Sequence, residues 1–344
     1  MKRYPVLVVL LILGCVSLGA LDVREGTVRV KADEINGRII LYGLDMRSNA
    51  RYEALLFDTD ARTSFLTVSI DGRFARLGED QEFRTNVRKI KKGLEVEYRS
   101  SLYAVIQRVE FIRSSDSRVA NGFKISYILR NSSPRDSKMG LKQILDTRLG
   151  EKSGIHFATD GFSKSDEEKV FSAADFPRFI SSPGEISSLT LLLDNLPRPD
   201  IVVLANWKRL ADTTWAYLSP MRGYSLVPFS VNDSAMGLYW NDTIVKAGDS
   251  VTFSCYFLHG LGGLEFVKRL KDGEVQVEGF SKSLSAAPAP EKPKDAALRI
   301  EEIRRLLEAI DAAILGLESI EDGDVEALRA ALEELEGLSL QGEL

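Results

Sequence analysis

The sequence predicts a mostly β protein, a large antiparallel β-sandwich followed by a C-terminal α-helical hairpin or coiled-coil tail. Apolar and polar side chains alternate every two residues through much of residues 27–258, and turn signals separate the alternating segments. Beyond residue 294 the apolar spacing changes to three and four, which is typical of a heptad seam. Because no helical period interrupts the predicted strands, an antiparallel sandwich is favoured over a parallel sheet with crossover helices.

The clearest pair of strands lies in residues 122–149. Apolar positions of the first strand are Phe123, Ile125, Tyr127 and Leu129. A polar turn at residues 131–136 leads into a second alternating strand, on which Asp146 lies opposite the leucine face. One face of each strand is therefore expected to be buried, and the face of Asp146 is either wet or covered by a second layer.

Further strands are predicted on both sides of this pair. Asp71-Gly72 and Lys92-Gly93 indicate tight turns, because glycine adopts a positive φ without steric cost. Before the pair, the predicted strands are residues 27–33, 38–43, 52–57, 64–70, 83–91, 94–99 and 102–112. After it, they are residues 186–193, 200–205, 224–231, 236–240 and 250–258. The polar residues 162–183 are expected to form a long loop over the sandwich.

One local motif suggests a family. Residues 144–157, ILDTRLGEKSGIHF, resemble the L-x-D-T-x-x-G-x-x-x-G-x-x-F segment of secreted bacterial β-supersandwich domains, which are similar to the galactose mutarotase-like, carbohydrate-binding superfamily. The resemblance extends loosely over residues 28–261 and implies the fold more than the function. A purely structural role, in which Asp146 and Thr147 bond the backbone, is the alternative for the motif.

The sequence offers little for catalysis. A mutarotase-like enzyme would place an acid and a base across a sugar, typically a histidine with a carboxylate. The two histidines are His156 in the motif loop and His259 at the end of the last strand. Neither lies in a recognisable catalytic pattern, and the spacings of metal-binding and phosphate-binding motifs are absent. We therefore expect a protein without a cofactor that binds rather than catalyses.

Aromatic residues concentrate between residues 207 and 240. Aromatic faces beside amide and carboxylate groups can stack on sugar rings, whereas the same residue types also form ordinary sandwich cores. Both interpretations remain open from the sequence. The candidate ligand-binding residues are Asp146, His156, Trp207, Trp215, Tyr217 and Trp240.

The first twenty residues predict export. Lys2 and Arg3 precede an apolar run at residues 6–13 and small residues up to Ala20, a secretory signal that we expect to be cleaved after Ala20. Residues 12–15, ILGC, also form an imperfect lipobox, so that a lipid anchor on Cys15 is an alternative. The expected location is the periplasm, or else the membrane surface or the medium.

The C-terminal region predicts assembly. Residues 281–294 are rich in proline and alanine and are expected to be a semi-rigid linker between residues 21–280 and a helical segment at residues 295–337. The predicted seam consists of Ile300, Ile303, Leu307, Ile310, Ile314, Leu317, Leu328, Leu332 and Leu335. The residues from 291 onward include 6 basic and 15 acidic side chains, which argues against a nucleic-acid partner.

Two functions follow from these features. The first is an exported, non-catalytic envelope protein whose β body binds an envelope partner while the helical tail mediates assembly, including homo-oligomerisation. The alternative is a carbohydrate-binding or carbohydrate-active protein of the mutarotase-like type. A body displayed at a membrane through Cys15 is a third possibility.

Removal of residues 291–344 tests the assembly role. If the seam joins copies of the chain, the truncated protein should sediment with a smaller multiple of its own mass than the full chain, because a two-helix hairpin covers only part of its apolar surface by itself. Docking of the helices on the β body of the same chain is the alternative. Analytical ultracentrifugation of both proteins at matched concentrations measures this. An unchanged number of subunits removes the assembly role.

Overall fold

The computed structural model describes residues 19–46, 50–151, 153–172, 175–261, 266–268, 270 and 277. Within these residues the protein is mostly β, with the short helix α1 at Trp207–Ala211 and a 3-10 turn at Ala61–Thr63. Residues 266–268 and 270 are also helical. Throughout the described part of the chain, no helix is both long and apolar enough to cross a bilayer.

The strands form three antiparallel sheets. From edge to edge, the four-stranded sheet contains Ala20–Glu25 (β1), Val28–Asp33 (β2), Ile39–Asp45 (β3) and Arg51–Ala54 (β4). The eight-stranded sheet contains Ala158–Thr159 (β12), Phe179–Pro183 (β14), Ser187–Leu192 (β15), Ser250–Leu261 (β18), Gly122–Asn131 (β10), Tyr103–Ile112 (β9), Gly93–Arg99 (β8) and Arg84–Ile90 (β7). The six-stranded sheet contains Lys169–Ser172 (β13), Ile201–Asn206 (β16), Ser234–Val245 (β17), Ser137–Thr147 (β11), Phe65–Ile70 (β5) and Arg73–Arg76 (β6).

The eight-stranded and six-stranded sheets pack face to face around the main apolar core. Tyr127 of β10 lies against Trp240 of β17, with ring centroids 5.0 Å apart. Between the sheets, Gln107 Nε2 donates a hydrogen bond to Gln143 Oε1 at 3.2 Å, which joins two buried amides across the core. The predicted antiparallel β-sandwich is therefore confirmed, and Asp71-Gly72 forms the predicted hairpin turn between β5 and β6.

Strand β11 buries both of its faces. Leu141 and Leu145 belong to the core between the sheets, whereas Lys142, Ile144 and Asp146 occupy the outer face of the six-stranded sheet. A smaller apolar cluster covers this outer face and contains Phe65, Ile144, Val203, Ala205, Leu210, Ala211, Ala235 and Tyr239. The sequence allowed either solvent or a second layer over Asp146. The structure shows that a second layer covers it.

Helix α1 and the residues after it provide that layer. Asn206 caps the helix, since its Oδ1 accepts a hydrogen bond from Arg209 N at 3.1 Å. At the other end the Lys142 ammonium donates to Thr213 O at 2.8 Å, which gives a buried cation a partner at the helix C-terminus. Burial, with a smaller effect from the charge of Arg76, lowers the pKa of Lys142 to about 8.

Two stretches differ from the sequence-based expectation. The prediction of a strand at residues 224–231 is wrong: these residues form a turn in which Leu226 N donates to Ser230 O at 2.7 Å. Val227 and Phe229 are exposed, so the alternation does not mark a buried face here. Residues 162–183 are a loop only in part, because β13 forms an edge of the six-stranded sheet and β14 pairs with β15 in the eight-stranded sheet.

Several predictions lie outside the described residues. These are the signal segment up to residue 18 with Cys15, the linker at residues 281–294, and the helical seam at residues 295–337. Cys255 lies within the described body and is fully buried in the sandwich core. Burial raises the pKa of its thiol, which keeps the thiol in its unreactive protonated form.

Candidate functional site

Three loops meet beside the end of β11 and the start of β17. The first loop, residues 148–157, carries the sequence motif, the second covers residues 160–168, and the third covers residues 223–233. The rings of His156 and Tyr224 lie against each other with centroids 4.3 Å apart, which joins the first and third loops. Tyr224 Oη also lies 3.2 Å from Ser165 Oγ, which joins the second.

A close backbone approach explains the first glycine of the motif. A Cβ atom at Gly150 would lie 2.2 Å from Ile155 O and 2.6 Å from His156 Cα, distances that a side chain cannot occupy. The second motif glycine, Gly154, has a φ of +68°, which other residues rarely adopt. The two glycines therefore let the loop fold back on itself and bring the His156 ring beside Tyr224.

Between the loops lies a polar cleft that is open to solvent and has a volume of about 370 Å³. It is lined by Gly154, His156, Lys164, Asp166, Gly223, Tyr224, Ser225 and Asn232. Lys164 Nζ and Asp166 Oδ1 form an ion pair at 2.8 Å, and Ser225 Oγ donates to Asn232 Oδ1 at 3.3 Å. The volume lies within the range of small-molecule sites, and several donors and acceptors share its walls.

His156 is neutral in this cleft. Burial lowers its pKa to about 4, the positive charge of Lys164 adds to the effect, and the charge of Asp166 opposes it. A neutral imidazole carries one donor and one acceptor nitrogen and brings no net charge. Among the residues that the structure describes, the buried Nδ1 has no hydrogen-bond partner. Between pH 5 and 8 His156 can therefore take part in hydrogen bonding without changing its charge.

A buried ion pair fixes the second and third loops to α1. Glu168 is 1% exposed, and its carboxylate accepts a hydrogen bond from Arg209 Nε at 2.8 Å and from Tyr217 Oη at 2.8 Å. The Arg209 guanidinium also donates to the backbone carbonyls of Gly223 and Ser225, at 2.5 and 3.0 Å. Charge-assisted hydrogen bonds of this kind hold two walls of the cleft in place.

Three carboxylates cluster next to the same loops. Asp146, Glu151 and Asp233 each place one oxygen within 4.8 Å of the other two. Burial raises the pKa of Asp146 to about 8, that of Glu151 to about 7, and that of Asp233 as well. Carboxylate oxygens are the ligands that Ca²⁺ and Mg²⁺ take, so this triad could hold a divalent cation. Protonation of the carboxylates is the other way to neutralise the charge of the triad.

The structure separates most of the sequence-predicted binding residues. Of these, His156 lines the cleft and Asp146 belongs to the carboxylate triad. Trp240 lies inside the sandwich, 2% exposed and stacked on Phe253. Trp207 begins α1, where its Nε1 donates to Thr63 O at 2.8 Å.

The other two aromatic candidates lie on the outer face of the six-stranded sheet. The Trp215 ring stacks on Phe74 at the edge of the sheet, with centroids 5.1 Å apart. Tyr217 contacts the outer-face cluster and donates its hydroxyl to Glu168. The four aromatic candidates from the sequence therefore do not form a common stacking surface in the cleft.

Sequence reasoning missed several residues of the site. Lys164 and Asp166 come from the polar stretch at residues 162–183, for which a binding loop and a plain insertion are both compatible with the sequence. Asn232 follows the predicted strand at residues 224–231. One signal was present for Asn232, since Asn is the residue other than glycine that most readily adopts a positive φ, and its φ is +50°. The residue type at this position is therefore compatible with a turn.

No protein-family model matches the chain, and no curated protein matches it. Solved structures do match the chain. A GalM/aldose epimerase homologue from C. elegans is 10% identical, covers 71% of this chain and 99% of its own, and has a TM-score of 0.42. A galactose mutarotase-like protein from Lactobacillus casei is 9% identical, covers 70% and 100%, and has a TM-score of 0.39.

A polysaccharide lyase is also similar, with 15% identity and a TM-score of 0.41; the match covers 73% of this chain and 35% of the lyase. At these identities the likeness concerns the fold, and no activity passes from these proteins to this chain.

Proposed function

We propose that the β body binds carbohydrate in the cleft beside His156. The observation that supports this is the composition of the cleft walls. A neutral imidazole, a carboxylate–ammonium pair, an amide and a hydroxyl line a cleft with a volume of about 370 Å³. Sugars present closely spaced hydroxyl groups, each of which donates and accepts. Walls that mix donors and acceptors, without a large net charge, suit such a ligand.

The individual groups have distinct tasks in this proposal. Lys164 donates and Asp166 accepts, so that the pair can bind two neighbouring hydroxyls. The Asn232 amide and the Ser225 hydroxyl can bind a third hydroxyl group of the sugar. Export to the periplasm stays part of the proposal, with an envelope glycan as the partner. Assembly through the C-terminal seam is a separate prediction.

Exchange of Asn232 for glycine should weaken sugar binding about tenfold, because it removes one amide that contacts the ligand. Glycine keeps the positive φ at this position, so the loop itself should not change. Saturation-transfer NMR and calorimetry with neutral hexose, amino-sugar and uronic-acid oligosaccharides measure the effect. Mass spectrometry of the recovered sugar separates binding from turnover.

The matched control is Asn195→Gly. Asn195 also has a positive φ, of +53°, but it lies in an exposed turn after β15, away from the cleft residues. This variant should bind as the parent does. If no oligosaccharide binds the parent, or if Asn195→Gly and Asn232→Gly lose affinity equally, the cleft is not the carbohydrate site.

A further inference from the structure

Residues 213–232 form a projecting segment that is rich in exposed apolar side chains; we call it the apolar loop. Leu218, Met221, Val227, Phe229 and Val231 are each between 64 and 90% exposed. Most large apolar side chains in folded proteins are covered, and concentrated exposure of this kind marks an interaction surface. The apolar loop is therefore a candidate for contact with another body.

The apolar loop is held rigidly at its base. Ser219 Oγ donates to Glu168 Oε2 at 3.4 Å, and Glu168 N donates to Arg222 O at 2.9 Å, which anchors the first half. Arg209 holds the second half through the carbonyl of Ser225. Both halves thus rest on one buried ion pair, so their side chains are presented together and lose little conformational freedom on binding.

The charge of the apolar loop favours a negatively charged partner surface. Residues 213–232 contain no acidic residue, and Arg222 is their single charged side chain. The acidic side chains close to its base are engaged locally. Asp212 pairs with Lys208, and Glu168 pairs with Arg209. Asp166 pairs with Lys164, and Asp233 belongs to the carboxylate triad. An apolar segment that carries one positive and no negative charge can bury its apolar side chains at the interface of an anionic membrane without charge repulsion.

We infer that the apolar loop inserts into the headgroup region of an anionic lipid bilayer. Its side chains stand out from the body rather than line a groove, as their high exposure shows. A bilayer accommodates such a convex shape, whereas a protein partner would need a matching hollow.

Vesicle flotation tests the inference with the chain from residue 19 onward, since the predicted signal and a lipidated Cys15 would bind lipid by themselves. Vesicles of phosphatidylethanolamine with phosphatidylglycerol should carry the protein, and vesicles of phosphatidylcholine should carry less. Exchange of Val227 and Phe229 for serine together should lower the partition coefficient about tenfold or more.

The control exchanges Ile35 and Ile244 for serine. Both are 65% exposed and lie outside the apolar loop, so this variant should bind vesicles as the parent does. Circular dichroism and thermal unfolding confirm that both double variants fold. Equal binding of the two variants, or the absence of vesicle binding by the parent, overturns the inference. Self-association that only the Val227/Phe229 variant loses, without vesicle binding, would also overturn it and indicate a protein interface.

A second measurement does not depend on loss of binding. Phe229→Trp places a reporter at the tip of the apolar loop. Its fluorescence should shift to the blue with anionic vesicles and should be quenched by brominated acyl chains, because an inserted indole leaves water. An unshifted spectrum, at vesicle concentrations that bind the protein, would overturn insertion of the apolar loop.

Discussion

Glutamine in place of Glu168 is expected to lower the free energy of unfolding by roughly 3–5 kcal/mol. The substitution keeps the shape of the side chain but leaves the Arg209 guanidinium, which is 12% exposed, without its counter-charge. Removing one partner of a buried ion pair is costly because the remaining charge stays away from water. Urea unfolding followed by circular dichroism measures the change.

The control for this effect lies on the same helix. Asp212→Asn removes the exposed i,i+4 pair with Lys208, and should change stability by only about 0.5 kcal/mol. Glu168→Gln should also increase protease cleavage within residues 217–226, since both cleft loops lose their anchor. If the two variants are equally stable, the Glu168–Arg209 pair does not organise these loops.

Replacing Asp146 with asparagine is expected to stabilise the protein at pH 8, by on the order of 2–4 kcal/mol. Burial raises the pKa of Asp146 to about 8, so the folded state holds a proton that the unfolded state releases near pH 4. In the parent, the free energy of unfolding therefore falls as the pH rises from about 4 to 8. Asparagine cannot ionise, so the slope should be shallower in the variant.

Urea unfolding at several pH values between 5 and 8.5 measures this slope. The buffers need a chelator, since a divalent cation bound to the triad would stabilise the ionised carboxylates and lower their pKa values. Asp116→Asn, at an exposed carboxylate, should leave the slope unchanged. A parent whose stability does not fall between pH 5 and 8 contradicts the buried, proton-binding Asp146.

Much of the sandwich could be predicted because alternation reports burial directly. On β17, Met236, Leu238 and Trp240 face the core between the sheets, while Ala235 and Tyr239 face the outer cluster. The period of two follows from strand geometry and needs no knowledge of the neighbouring strands. Tight hairpins could also be predicted from the local sequence, because the turn at Asp71-Gly72 depends only on the φ values of these two residues, +50° and +80°.

The same rule failed at residues 224–231 for a physical reason. Alternation shows that every second side chain is apolar, but it does not show whether anything covers that face. At Val227, Phe229 and Val231 the alternating side chains are exposed, and the backbone turns back at Ser230. Only the folded chain distinguishes a covered face from an exposed one.

The site depended on contacts between distant residues. His156 was a candidate from its motif, but Lys164, Asp166 and Asn232 reach the same cleft through loops that are far apart in sequence. The Glu168–Arg209 pair, which positions these loops, joins residues 41 positions apart. No local pattern indicates such a pairing, because many acidic and basic residues could have formed it.

Period and turn chemistry are local properties of the chain, so they were sufficient to predict the β-sandwich, most of its strands and the tight glycine loop that carries His156. Tertiary structure alone decided that Trp240 packs inside, that three carboxylates meet, and that a polar cleft opens beside His156. The physical reason is that burial and charge pairing depend on which strands and loops become neighbours, and those neighbours are set by the whole fold.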